Sequence, residues 1–242
     1  MLAVIGGTGL GQLEGLVHER QEPVSTPWGK PSAPLEFGYY HDRPVVFLPR
    51  HGDQHRLAPH EINYRANIEA LYQAGVQEIV AVAAVGGIDP RLPPGALALP
   101  EQIIDYTWGR EQSFSRPGDV IHIDFTRPYS DALRQQLLKA AAEAGVKLVE
   151  GGVYGATQGP RLETAAEVDR LERDGCTMVG MTGMPEAALA RERGLDYACL
   201  ALSVNHAAGR AQPGESIHDS IEATLEEGMA RVRSVLTAFM EN

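Results

Sequence analysis

Several short stretches of the chain set chemistry-bearing side chains beside glycine or at the end of an apolar run. In Gly6-Gly7-Thr8-Gly9-Leu10-Gly11 the missing side chains let backbone N–H groups approach an anion, and Thr8 adds a hydroxyl donor. A tight strand exit needing only positive φ would use the same residues. The turn is not a dinucleotide fingerprint, because Gln12 stands where the third glycine belongs, and it lacks the Gly-Lys-Ser/Thr ending of a triphosphate loop. Pro49-Arg50-His51-Gly52-Asp53-Gln54-His55 puts a guanidinium fork and an imidazole after a second apolar run, which makes Arg50 the best phosphate clamp in the chain. His51 and His55 are spaced as a metal pair on a helix would be, but Pro49 and Gly52 oppose a helix there. A metal-dependent hydrolase using His51, Asp53 and His55 is a remote alternative.

Four further stretches belong to the same set. Ala83-Ala84-Val85-Gly86-Gly87-Ile88 ends an apolar run with a glycine pair that exposes backbone donors. Gly159-Pro160-Arg161-Leu162-Glu163-Thr164 sets Glu163 before a helix, where the macrodipole favours an acid whatever else it does. In Met181-Thr182-Gly183-Met184-Pro185-Glu186 Thr182 offers a hydroxyl to an anion and Met181 an adaptable apolar surface, although a plain turn would read the same. Ser203-Val204-Asn205-His206-Ala207 closes a long apolar strand with an amide that both donates and accepts.

The elements that must position these residues follow from pattern. Gly75-Val76, Gly145-Val146, Gly175-Cys176 and Gly194-Leu195 each read as a helix C-cap feeding a strand. Short apolar runs at 2–5, 45–48, 78–85, 178–180 and 197–204 suit strands buried on both faces. Candidate helices span about 63–74, 131–144, 164–174 and 185–193. A last one carries Ile217, Ile221, Leu225, Met229, Val232, Leu236 and Phe239 at spacings of three and four. The alternation predicts an α/β fold with a mostly parallel central sheet flanked by helices, as a single domain over 1–242. Glycine and proline concentrate at 21–60 and 85–128, predicting long loops there.

Composition excludes other classes. Hydrophobic residues are 43% and charged residues 22%, a folded globular mixture, and the formal charge of −11 repels a phosphate backbone. Nucleic acid is therefore not an expected partner. No apolar run approaches the roughly 20 residues that span a bilayer, so no membrane association is expected. Cys176 and Cys199 are too few for a disulfide framework or a four-cysteine zinc site, and a cytoplasmic location is expected.

Taken together and in this order, these segments resemble the purine nucleoside phosphorylase and 5′-methylthioadenosine phosphorylase family of small trimeric enzymes over nearly the whole chain. The most specific stretches are 6–11, Arg50-His51-Gly52 with Asn63-Tyr64-Arg65-Ala66-Asn67, 159–164, and 180–186. The resemblance implies phosphate held by Thr8, Arg50, His51, the backbone near Ala84, and Thr182, with Met181 beneath the ribose and the base contacted by Glu163, Asn205, His206 and Ala207. Ala83 stands where family members often have a hydroxyl or amide, leaving a backbone contact alone there. Inorganic phosphate is implied as co-substrate, with no metal or organic cofactor, and the enzyme as a homotrimer.

Adenine offers a donor at position 6 and a bare acceptor at N1; a 6-oxopurine offers O6 and N1–H, the opposite pattern. Members of adenosine type typically carry Asp and Ser where this chain has Asn205 and Glu163, and 6-oxopurine members resemble this chain. Glu163 and Asn205 are accordingly the expected catalytic pair, and inosine or guanosine the leading substrates, narrowly ahead of 5′-methylthioinosine. The 5′ signals are mixed. His218 matches a position that is histidine where a 5′-hydroxyl is handled, Ile221 one turn on supplies an apolar wall, and His122 matches a position that reaches the neighbouring subunit's site. A noncatalytic nucleoside sensor on the same fold is the rival outside enzymology.

Overall fold

The computed structural model describes residues 1–10, 13, 15–211 and 217–241, without the side chain of His218. Among the described residues eleven strands, β1 (Leu2–Gly6), β2 (Val17–Glu22), β3 (Leu35–Tyr40), β4 (Arg43–Pro49), β5 (Glu78–Gly87), β6 (Leu97–Leu99), β7 (Gln102–Asp105), β8 (Leu148–Glu150), β9 (Val153–Ala156), β10 (Met178–Gly180) and β11 (Asp196–His206), alternate with five helices. The helices are α1 (Tyr64–Gln73), α2 (Asp131–Glu143), α3 (Ala165–Arg173), α4 (Gly183–Glu192) and α5 (Ile217–Glu241).

All four glycine C-caps form. Gly75, Gly145, Gly175 and Gly194 have φ of +78°, +67°, +94° and +67°. In each case the following apolar amide turns back to the helix, as Val76 N–H does to the Leu71 carbonyl at 3.1 Å and Cys176 N–H to that of Leu171 at 2.9 Å. This double closure satisfies the helix's last carbonyls and aims the chain into the next strand. At the other ends, the side chains of Asn63, Ser130 and Thr164 accept from the amides of Ala66, Leu133 and Glu167.

The sheet branches at β5. Its main path is β2-β3-β4-β1-β5-β10-β9-β7, while β11 pairs with β5 and β6, and β6 with β8. The central pairings β4–β1, β1–β5 and β5–β11 are parallel, and antiparallel pairing is confined to β2–β3, β3–β4, β5–β10 and β6–β11. α1 and α4 cover one face, burying Ile68, Leu71, Ala187 and Leu189. α2 and α5 cover the other with Leu133, Leu137, Val232, Leu236 and Phe239. A β-carbon on Gly228 would lie 2.6 Å from the Leu202 side chain, so glycine lets α5 lie close on β11.

The expected loop regions are corrected in part. β3 and all of β4 lie within 21–60, and β6 and β7 within 85–128. Past the end of β5 at Gly87, loops do fill the rest of the second region, including 106–128.

Candidate active site

A cavity of about 500 Å³ opens where β1, β4, β5, β10 and β11 end. Ligands of open α/β sheets collect at such carboxyl ends. Thr8, Arg50, His51, Ala84, Glu163, Met181, Thr182, Asn205, Ala207 and Ile221 all line it, so distant stretches of sequence converge on one volume.

At one end lies Arg50, only 1% exposed. Its Nε and Nη2 donate to the two oxygens of Glu186 at 2.6 and 2.8 Å, and Nη1 donates to the Val82 carbonyl at 2.9 Å. Tyr197 Oη donates to Glu186 as well, at 2.8 Å. Burial opposes the charge on Arg50, but the Glu186 carboxylate outweighs it and raises the guanidinium pKa. One N–H on each η nitrogen is left for a ligand by the donor inventory of guanidinium. Gly7 makes this approach possible, since a β-carbon there would sit 2.9 Å from Arg50 Nη1. Thr182 precedes α4 and is largely buried, yet its side chain does not cap the helix. Regular helical backbone begins after Met184 (φ −118°, ψ 140°), at Pro185. The hydroxyl is therefore not spent on the helix's own amides and stands beside Tyr154 on the cavity wall, where a helix N-terminus favours an anion.

His51 packs between burial and Arg50, which together lower its pKa to about 4. Its Nδ1 lies 2.9 Å from the Leu57 carbonyl. A neutral ring that donates from Nδ1 keeps Nε2 as an acceptor. The His55 ring stacks on it at 4.0 Å, and Asp53–His55 form a 3-10 turn, with Gln54 at φ +57°, in place of the α-helix a metal pair requires. Among the described residues no group of three His, Cys, Asp or Glu is gathered to hold a metal.

At the other end, the β11 register shifts between Ser203 and Asn205. Such a bulge re-aims the side chain that follows it. Asn205 Nδ2 donates to the His206 carbonyl at 2.6 Å, leaving Oδ1 and one N–H for a ligand. Gly86 leaves room beside it, a β-carbon there coming within 3.4 Å of Asn205 Nδ2. Glu163 is fixed by Thr157, whose hydroxyl donates to Oε1 at 2.5 Å, while the Thr157 amide donates to the Gly180 carbonyl at the end of β10.

Three expected residues stand apart. His206 does not line the cavity and takes part through its carbonyl. His122 is exposed on the 106–130 loop, outside the cavity of its own subunit. His218 falls in the first turn of α5, but its side chain lies outside the described residues. Sequence reasoning missed the supports Glu186, Tyr197 and Thr157, and it missed Ile217, which joins Ile221 on the cavity wall.

A branched sheet opening one cavity at its strand ends defines an α/β enzyme of phosphorylase type. The chain belongs to the phosphorylase superfamily, whose profile matches residues 1–241. It is 54% identical over 236 residues, 97% of this chain and 96% of the other, to a probable S-methyl-5′-thioinosine phosphorylase of Pseudomonas syringae pv. tomato. It is 40% identical over 237 residues, 97% and 90% of the two chains, to a probable 6-oxopurine nucleoside phosphorylase of Moorella thermoacetica. The crystallised methylthioadenosine phosphorylase from Schistosoma mansoni in complex with adenine superposes with a TM-score of 0.93 at 32% identity, covering 99% of this chain and 90% of that one. Among the described residues no helix is long and apolar enough to cross a membrane.

Proposed function

We propose that the chain catalyses reversible phosphorolysis of 5′-methylthioinosine to hypoxanthine and 5-methylthioribose 1-phosphate. The sequence alone leaned toward inosine or guanosine; two considerations favour the methylthio substrate. Relatives of about half identity carry that name, and among the described residues α5 lines the cavity with Ile217 and Ile221, apolar side chains suited to a thioether. The observation that carries the reading is the convergence of Glu163 and Asn205 on one cavity with Arg50 and Thr182.

In this mechanism an oxygen of phosphate, held by Thr8, Arg50, the Ala84 backbone and Thr182, attacks C1′ as the bond to purine N9 breaks. The bond's electron pair leaves on the purine. Glu163 accepts N1–H, and the Asn205 amide donates to O6 and, once solvent water has delivered a proton to N7, accepts from N7–H, stabilising the departing base. The phosphate anion faces the cationic sugar that Met181 supports. Neutral His51 meets phosphate through a phosphate hydroxyl, which its Nε2 accepts. The reaction requires no metal or organic cofactor, and phosphate is a co-substrate. The assembly is a cytoplasmic homotrimer in which His122 reaches the neighbour's cavity.

The test is release of hypoxanthine or adenine from 5′-methylthioinosine, inosine, 5′-methylthioadenosine and adenosine, each with and without phosphate. Methylthioinosine with phosphate is expected to react fastest. Turnover without phosphate defeats phosphorolysis, preference for aminopurines defeats the base assignment, and a faster reaction of inosine restores the 5′-hydroxyl reading.

A further inference from the structure

Arg110 does not line the cavity, yet its guanidinium is bonded to two of the segments that do and, through Tyr64, linked to a third. Nη1 donates to the carbonyls of Met181 and Met184 at 2.8 and 2.6 Å, on the turn that carries Thr182. Nη2 donates to the carbonyls of Gln158 and Thr157 at 2.8 and 3.3 Å, and Nε to Gln158 Oε1 at 3.2 Å, on the segment that leads to Glu163. Nη1 also reaches Tyr64 Oη at 3.2 Å, and that hydroxyl donates to the carbonyl of Pro59, which also lines the cavity. The loop supplying Arg110 reaches it through Gly109 at φ +66°.

The first two segments also touch directly. Gly159, at φ +62°, lies against Met181 so closely that a β-carbon would come within 2.5 Å of Sδ. The purine-facing loop and the ribose-facing turn therefore share one packing contact and one set of hydrogen bonds. A planar guanidinium serves such diverging carbonyls at once, whereas an ammonium offers its donors from a single point.

We propose that Arg110 is a positioning residue that fixes the separation between the purine-binding and phosphate-binding ends of the cavity, so that both substrates depend on it although it touches neither. This rests on the nucleoside and phosphate reading given above. Four of the groups it holds are main-chain carbonyls, whose place no side-chain substitution in the cavity itself would restore.

The test compares wild type with Arg110→Lys and Arg110→Ala. The readouts are kcat, KM for nucleoside and for phosphate, melting temperature, and calorimetric binding of hypoxanthine and of inorganic phosphate. Both variants are expected to raise both KM values about tenfold, a size set by losing one or two hydrogen bonds' worth of alignment. The same shifts are expected in both dissociation constants at temperatures well below melting. Methylguanidinium added to Arg110→Ala is expected to lower both constants again, which a merely destabilised fold would not show. Unchanged constants in Arg110→Lys, or a change confined to one substrate, overturn the proposal. If Arg110→Ala does not fold, Arg110→Lys alone decides. If wild type turns over no purine nucleoside, the functional reading fails, and the two binding constants still test Arg110.

Discussion

Glu186 never meets the cavity, yet it determines what Arg50 can do. Both its oxygens are taken by Arg50, and a third bond comes from Tyr197. Removing one member of a fully buried pair strands the other, at about 3–5 kcal/mol. Glu186→Gln is therefore expected to lower urea-unfolding stability by that order and to raise the KM for phosphate more than the KM for nucleoside. Equal changes in the two KM values would show that Arg50 is not the phosphate group's anchor. Arg50, Thr182 and Asn205 are readable because each follows an apolar run or stands beside glycine or proline, whereas Glu163, which a helix start would favour anyway, is readable as a site residue only through the family resemblance. Glu186 is not, since its partner lies 136 positions away and only the topology joins them. Thr157 carries no signal for a different reason: its partner Glu163 is near in sequence, but a lone threonine between a strand and a glycine turn reads as ordinary chain.

Helix α3 links an element's end to the site. Thr164 accepts from the Glu167 amide at 3.2 Å, and Glu167 accepts from the Thr164 amide at 2.8 Å, a reciprocal capping box directly after Glu163. The hydrogen bond from Arg161 is the chief cause that lowers the Glu167 pKa to about 2, with the Thr164 amide second. Thr164→Ala is expected to cost about 1 kcal/mol in urea unfolding and to raise the KM for nucleoside severalfold, because the cap fixes the backbone that presents Glu163. An unchanged KM would show that Thr157 alone holds the carboxylate. The same local chemistry made the helices and their glycine stops readable in sequence. It failed for β2, whose Val17–Glu22 run is exposed along its length and so lacks any buried face. It failed too for β6, of three residues, which is too short to show a period of two, whereas β8, just as short, follows the Gly145 stop that announces a strand. These strands exist because neighbouring strands supply their partners.

Two predictions concern the whole molecule. In the folded state His51 titrates near 4 because it is buried beside Arg50, against an ordinary 6.5. Between those values the unfolded chain holds a proton the folded one lacks, so stability falls as pH drops from 6.5 toward 4, by about 1.4 kcal/mol per pH unit for one proton. The unfolding midpoint is expected to drop more steeply across that window in wild type than in His51→Gln; parallel curves would refute the assignment. The second prediction concerns assembly. His122 is exposed and absent from its own subunit's cavity, so a role in substrate binding requires a neighbouring copy. In a ring with head-to-tail interfaces each site draws on two chains, one giving Glu163 and the next His122. His122→Ala and Glu163→Ala subunits, unfolded together and refolded, would then form about a quarter of their sites with both groups intact, by random placement around such a ring. Activity of the mixture is expected to exceed the mean of the two parents, and sedimentation should give a trimer. A mixture no more active than that mean would confine each site to one chain and leave His122 without a part in the reaction.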